Sequence, residues 1–169
     1  MWNQFRIDHL IFSIIRNKLS NVVGIMKRIH KYVPTRTLLI MYNSLFLSHL
    51  NYSILAWGFS QGRIFLLQKR VIRIMCNSSY LAHTDPLLKN LGILKLQDIL
   101  KLKALKFYYR YTKMEVPDYF QNMFQESQVT HAYNTRQRGR AMIPIPTKSK
   151  NKYCIRYYIP NLVINTPLH

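Results

Sequence analysis

Apolar residues recur every three or four positions from the start of the chain: Ile7, Leu10 and Ile11, Ile14 and Ile15, Leu19, Val22 and Val23, Met26, Ile29. That period is one face of an amphipathic helix, and it predicts a helix over residues 5–32. Arg16, Ser20, Lys27 and Lys31 fall on the opposite side. Pro34 stops it, because Val33, the residue before proline, is pushed out of helical geometry. A second helix is expected to open at Thr35 or Thr37, whose hydroxyls suit the free amides of a first turn. Its stripe is Leu38, Met41, Tyr42, Leu45, Phe46 and Leu50. Asn51 and Gly58 bracket a bend or short helix carrying Tyr52 and Trp57. A third long helix is predicted over 63–76, with Ile64, Leu67, Val71, Ile72 and Met75 buried and Lys69, Arg70 and Arg73 outside.

Asn77-Ser78-Ser79 reads as a loop. Thr84-Asp85-Pro86 reads as a helix start, an N-cap followed by proline in the first turn. Gly92 ends that short helix, Gln97 or Asp98 opens the next one to about Thr112, and Pro117-Asp118 opens a last short one over 117–124. Beyond residue 125 the period fails. Residues 126–169 hold four of the seven prolines, alternating basic residues and short apolar bursts such as 153–159. That stretch reads as an extended, weakly ordered tail with room for one short strand. The expected fold class is all-α: a small helical bundle over 1–76, a further helical segment packed on it over 77–125, and a basic tail over 126–169. Low glycine, 5 residues, and 49% apolar content agree with helices around a core.

Charge changes the picture more than composition does. The chain holds 25 Lys+Arg against 6 Asp+Glu, a formal net charge of +19. The excess is spread: 7 basic and 1 acidic in 1–60, 11 and 4 in 61–125, 7 and 1 in 126–169. No single tail explains the total, so the folded part itself is basic and its expected partner is a polyanion. Residues 37–62 carry no charge, but Asn43, Ser44, Ser48, His49, Asn51 and Ser53 interrupt them. A buried helix is expected there, and no membrane span. The N-terminus lacks the layout of a signal peptide. Cys76 and Cys154 form neither a metal motif nor a disulfide framework, which fits a reducing compartment, nucleus or cytoplasm.

The same scarcity of acids bears on catalysis. Two-metal phosphoryl chemistry needs carboxylates that bridge ions about 3.5–4 Å apart. Asp8, Asp85, Asp98, Glu115, Asp118 and Glu126 include no adjacent pair, and three of them sit at expected helix starts. No histidine pairs with another His or Cys at zinc-ligand spacing. There is no phosphate-cradling glycine loop and no nucleophile elbow. No catalytic residue, metal, cofactor or small-molecule ligand is expected. The candidate contacts are cationic. Lys103, Lys106, Arg110 and Lys113 are spaced 3, 4 and 3 along one helical ridge. Lys69, Arg70 and Arg73 cluster on another helix. Arg136, Arg138 and Arg140 alternate around Gly139 in the tail, a pattern suited to phosphate contact without sequence readout. Of Tyr108, Tyr109 and Tyr111, core packing is expected for two.

With these residues in view, the chain resembles the region that follows the catalytic palm in non-LTR (LINE-type, jockey-like) retrotransposon reverse transcriptases. Val33-Pro34, Leu38-Leu39, Tyr42-Asn43-Ser44-Leu45, Leu50-Asn51-Tyr52 and Trp57-Gly58 match that family's helix-to-Trp-Gly run in order. Leu67-Gln68-Lys69-Arg70 with Ile72-Arg73-Ile74 resembles its Gln-Lys-Arg helix. His83-Thr84-Asp85-Pro86-Leu87, Leu91, Ile93-Leu94-Lys95-Leu96 and Asp98-Ile99 form the most specific block. His131, Tyr133-Asn134-Thr135-Arg136 and Ile155-Arg156-Tyr157 continue it. The resemblance implies a thumb-like grip on template RNA and RNA–DNA duplex, with the catalytic aspartates upstream and none matched here. Two departures stand out: the short spacing between Gly58 and Gln68, and Ile159-Pro160-Asn161-Leu162-Val163-Ile164 where the family has Gly-Pro-x-Leu-Trp-Asn. Two other functions stay open from sequence: a stand-alone, host-adopted basic RNA-binding protein, and a module that docks onto another domain.

Overall fold

The structure, a computed structural model, describes residues 2–52, 54–57, 62–120, 123–124 and 155–165. All regular structure among them is helical: α1 Trp2–Ile29, α2 Thr35–Met41, α3 Ser48–Asn51, α4 Ile54–Trp57, α5 Gly62–Met75, α6 Thr84–Asn90, α7 Leu96–Thr112 and α8 Ile155–Asn165. A π-helical segment, Tyr42–Leu47, joins α2 to α3, and a 3-10 turn spans Asp118–Phe120. The chain divides into two compact units, Met1–Leu100 and Lys101–His169. The all-α expectation holds across the described residues.

In the first unit α1 packs on α5, on the π-helical segment, and on α3 and α4, while α2 and α6 pack on α5. The period predicted for α1 delivers its core: Ile15, Leu19, Val22, Val23 and Met26 are buried. Two stripe positions differ, since Leu10 and Ile14 are 59% and 45% exposed. They sit in the part of α1 before the buried run begins.

The second stripe narrows to Leu38, Tyr42, Phe46 and Leu50, all buried, with Leu45 exposed. These positions are spaced a strict four apart. On a regular helix each step of four overshoots a turn by about 40°, so the row would drift off the core. The π-helical segment, with its wider i→i+5 turns, sits between Leu38 and Leu50 and takes up that drift. Tyr42 and Phe46 stack there at 5.1 Å between ring centroids.

Several boundaries depart from expectation. No side chain caps α2 or α6, whose N-cap residues are Pro34 and His83. The hydroxyl caps expected from Thr35, Thr37 and the Thr84-Asp85 start are therefore absent, although both helices begin where predicted. On α5 the buried face is Ile64, Gln68, Val71, Ile72 and Met75; Leu67 is only half-buried. Of the helix predicted over 117–124, Asp118–Phe120 forms the 3-10 turn, and residues 121–122 lie outside the described residues. Within the stretch expected as an extended tail, Ile155–Asn165 is helical, with Pro160 inside α8. Residues 126–154 and 166–169, the rest of the expected tail, lie outside the described residues.

Three helices end in one motif. After α5, the amides of Asn77 and Ser78 reach back to the carbonyls of Ile74 and Arg73 at 3.1 and 2.9 Å. After α6, Gly92 and Ile93 do the same to Lys89 and Leu88; after α7, Met114 and Glu115 to Tyr111 and Arg110. Each places one residue in the left-handed region, φ 47° for Asn77, 65° for Gly92 and 57° for Met114. Glycine and asparagine suit that position; methionine does not.

In the second unit the aromatic residues of α7 gather round Phe124. Tyr111 meets it edge-on at 4.8 Å and Tyr108 at 5.9 Å. Phe107 lies edge-on to Phe120 at 5.4 Å. The Tyr111 hydroxyl donates to the Phe124 carbonyl at 3.1 Å. Tyr109 is 61% exposed, so two of the three tyrosines pack, as expected.

Candidate nucleic-acid interface

The helix that bears Lys69, Arg70 and Arg73 is fastened by a polar clamp. Gln68 is fully buried. Its Nε2 donates to the Tyr42 hydroxyl at 3.1 Å and to the Leu94 carbonyl at 2.9 Å. Its Oε1 accepts the Leu96 N–H at 2.9 Å. Leu96 opens α7, and the first amides of a helix have no partner within it. Gln68 supplies one, and so fastens the α6–α7 connection to α5 and to the π-helical segment. Burial pushes the Tyr42 hydroxyl up to about 12, with the Gln68 hydrogen bond pulling weakly the other way. The sequence signal for this clamp is a long amide side chain on an otherwise apolar stripe.

The three clustered cations of α5, Lys69, Arg70 and Arg73, occupy different settings. Lys69 is half-buried, its Nζ 4.5 Å from the centroid of Phe65 one turn earlier. Arg70 is exposed. Arg73 is half-buried; its Nε donates to the Ala82 carbonyl at 2.9 Å, and its guanidinium lies over the Tyr80 ring at 5.8 Å. Arg73 therefore builds the loop after α5 as well as adding charge to it. Lys95 Nζ pairs with Asp85 Oδ2 at 2.8 Å. That hydrogen bond, with the nearby charges of Lys95, Lys69 and Lys89, holds the Asp85 carboxyl below its usual range. Asp85 thus ties the start of α6 to the residue before α7.

On α7 the expected ridge is present as a feature of the second unit. Lys103 is half-buried, and Lys106 and Arg110 are exposed. Arg110 Nε lies 4.0 Å from Glu115 Oε2, both well solvated, a pairing of small energetic weight. Lys113, just past the helix, lies over the Tyr109 ring at 5.8 Å. Arg136, Arg138 and Arg140 lie outside the described residues.

Asp85, Asp98 and Asp118 each stand in the first turn of a helix, where a carboxylate faces the positive end of the dipole. Among the described residues no group of three or more His, Cys, Asp or Glu could hold a metal ion. No described helix is long and apolar enough to cross a membrane. A cleft of about 440 Å³ lies where α1 ends, α2 begins and α5 ends, lined by His30, Lys31, Thr35, Cys76 and Asn77 among others. His30 Nδ1 donates to the Lys27 carbonyl at 2.7 Å. Burial pushes the Cys76 thiol up, away from the thiolate that nucleophilic chemistry needs.

Sequence reasoning passed over Tyr80 and Leu81, which stand 80% and 86% exposed on the loop between α5 and α6. The available signal was an aromatic residue directly after the Asn77-Ser78-Ser79 loop. Set against known proteins, the chain matches no family model, no curated protein and no solved structure.

Proposed function

We propose that this chain is a grip for nucleic acid: a basic helical fragment of a LINE-type reverse transcriptase. It holds template RNA or an RNA–DNA duplex by its phosphates while a palm outside this sequence performs the chemistry. The observation that carries the proposal is the charge: 25 basic against 6 acidic residues, with Arg70, Lys106 and Arg110 exposed on helices. Asp85, Asp98 and Asp118 stand at helix starts, Asp85 also pairing with Lys95, and the solvated Glu115–Arg110 contact at 4.0 Å offsets little of the charge. A surface of such one-sided charge is suited to a polyanion. The ordered run of family-like motifs adds the thumb-like role, with template RNA and RNA–DNA duplex as the polyanion held. No residue of the chain is assigned a catalytic role, so primer extension with template and Mg²⁺ is expected only from a protein that also carries the palm.

Binding by phosphate contact releases counterions, so affinity falls linearly with salt on logarithmic axes. Lys103, Lys106 and Arg110 on α7 give a slope of roughly −3 on a hybrid duplex, and Lys69 and Arg70 on α5 roughly −2. Fluorescence anisotropy across a salt series measures it. The double variant Lys106→Ala/Arg110→Ala is expected to flatten the slope by about 2. Affinity that stays level between low and physiological salt would overturn the proposal.

A further inference from the structure

We propose that the loop between α5 and α6 is a stacking platform for an unpaired nucleobase, formed by Tyr80 on Arg73; this rests on the proposed nucleic-acid function. Ala82 N–H returns to the Ser79 carbonyl at 3.1 Å, which makes Tyr80 and Leu81 the two central residues of a tight turn. The base of the loop is fixed by Ser78 N–H on the Arg73 carbonyl and by Arg73 Nε on the Ala82 carbonyl, both at 2.9 Å. Two large side chains are thus carried outward on a hydrogen-bonded turn.

The chemistry of the turn selects the occupant. The Arg73 guanidinium lies over one side of the Tyr80 ring, and Tyr80 as a residue is 80% exposed. A flat, electron-rich base on the other face completes a stack of the kind that single-strand binding proteins use. Residues 76–83 contain no acid, and the loop continues a helix bearing Lys69 and Arg70, which can meet the phosphates of the same strand. Leu81 offers apolar surface to a sugar. Bases inside a duplex are already stacked on each other and present no free face, so the platform takes a single-stranded segment.

The test uses the full chain with two probes, a short oligouridylate and a fully paired RNA–DNA hybrid. Tyr80→Ala is expected to weaken oligouridylate binding about 5- to 150-fold, the range for loss of one base–aromatic stack. Hybrid affinity, the salt slope and the melting midpoint should stay at wild-type values, since the ring is largely solvated. Tyr80→Phe should restore single-strand binding. Unchanged oligouridylate affinity in Tyr80→Ala, or an equal loss on both probes, sinks the platform and leaves the phosphate grip standing. A wild-type chain that binds neither probe removes the grip and the platform together.

Discussion

Gln68 and Tyr42 show how one buried pair joins stability to pH. The Tyr42 ring is fully buried, and its hydroxyl takes a hydrogen bond from Gln68 in an otherwise apolar setting. An unfolded tyrosine loses its proton near pH 10, whereas folded Tyr42 keeps it to about 12. Between those values the folded chain binds more protons than the unfolded one, so stability falls as pH rises. The contribution is intact below pH 10, and about 2–3 kcal/mol is lost by pH 12. Urea denaturation at pH 9, 10.5 and 11.5 measures the slope. Tyr42→Phe starts less stable, with the Gln68 amide short of one acceptor, but its stability should decline less steeply over that interval. Equal slopes in the two proteins would count against the assignment. Asp85 works in the opposite sense. Its lowered carboxyl contributes above the usual carboxylate range and loses that contribution as pH falls through its folded value.

At the scale of elements, the three shared helix ends make an internal comparison. Gly92 occupies its left-handed position freely, while Met114 holds the same geometry with a side chain that is 72% exposed and packs on little. Met114→Gly is therefore expected to stabilise the chain by about 1 kcal/mol, and Gly92→Ala to destabilise it by a similar amount. Nothing lies within 4 Å of a Cβ placed on Gly92, so backbone strain alone sets that loss. Thermal melts of the two variants should shift in opposite directions. The Gly92 stop, the loop at Asn77 and the body of each helix follow from period and turn chemistry. The Met114 turn carries no such signature, because methionine is a poor left-handed residue held there by its neighbours' hydrogen bonds. The π-helical segment was hidden for a related reason. A spacing of four fits an ordinary helix over two turns, and only the run from Leu38 to Leu50 exposes the drift.

At the scale of the whole molecule, the cationic rows on α5 and α7 could be read from spacing, since a helix fixes which residues share a ridge. What each cation does there could not. Arg73 differs from Arg70 by contacts to Ala82 and Tyr80, residues seven and more positions away whose placement depends on how the loop closes. The platform at Tyr80 was illegible for the same reason: exposure of an aromatic ring is a property of the folded loop. The +19 charge is legible from composition alone, and it sets a physical limit on the isolated chain. Such self-repulsion favours solubility and opposes compaction. Added polyanion or salt should therefore bear on compactness as well as on binding.

The Gln68 clamp gives this bundle a built-in clock. The first amides of a helix ordinarily exchange with solvent quickly, as its ends fray. The Leu96 amide is in that position, yet it is held by a side chain 28 residues earlier in sequence and the residue is fully buried. Its hydrogen should leave only when α5 parts from the α6–α7 connection. Hydrogen–deuterium exchange is expected to show Leu96 as slow as Val71 and Ile72 in the core, with its exposed neighbour Gln97 fast. In Gln68→Leu the Leu96 amide should join Gln97. A single backbone hydrogen at a helix tip thus reports the lifetime of the closed bundle.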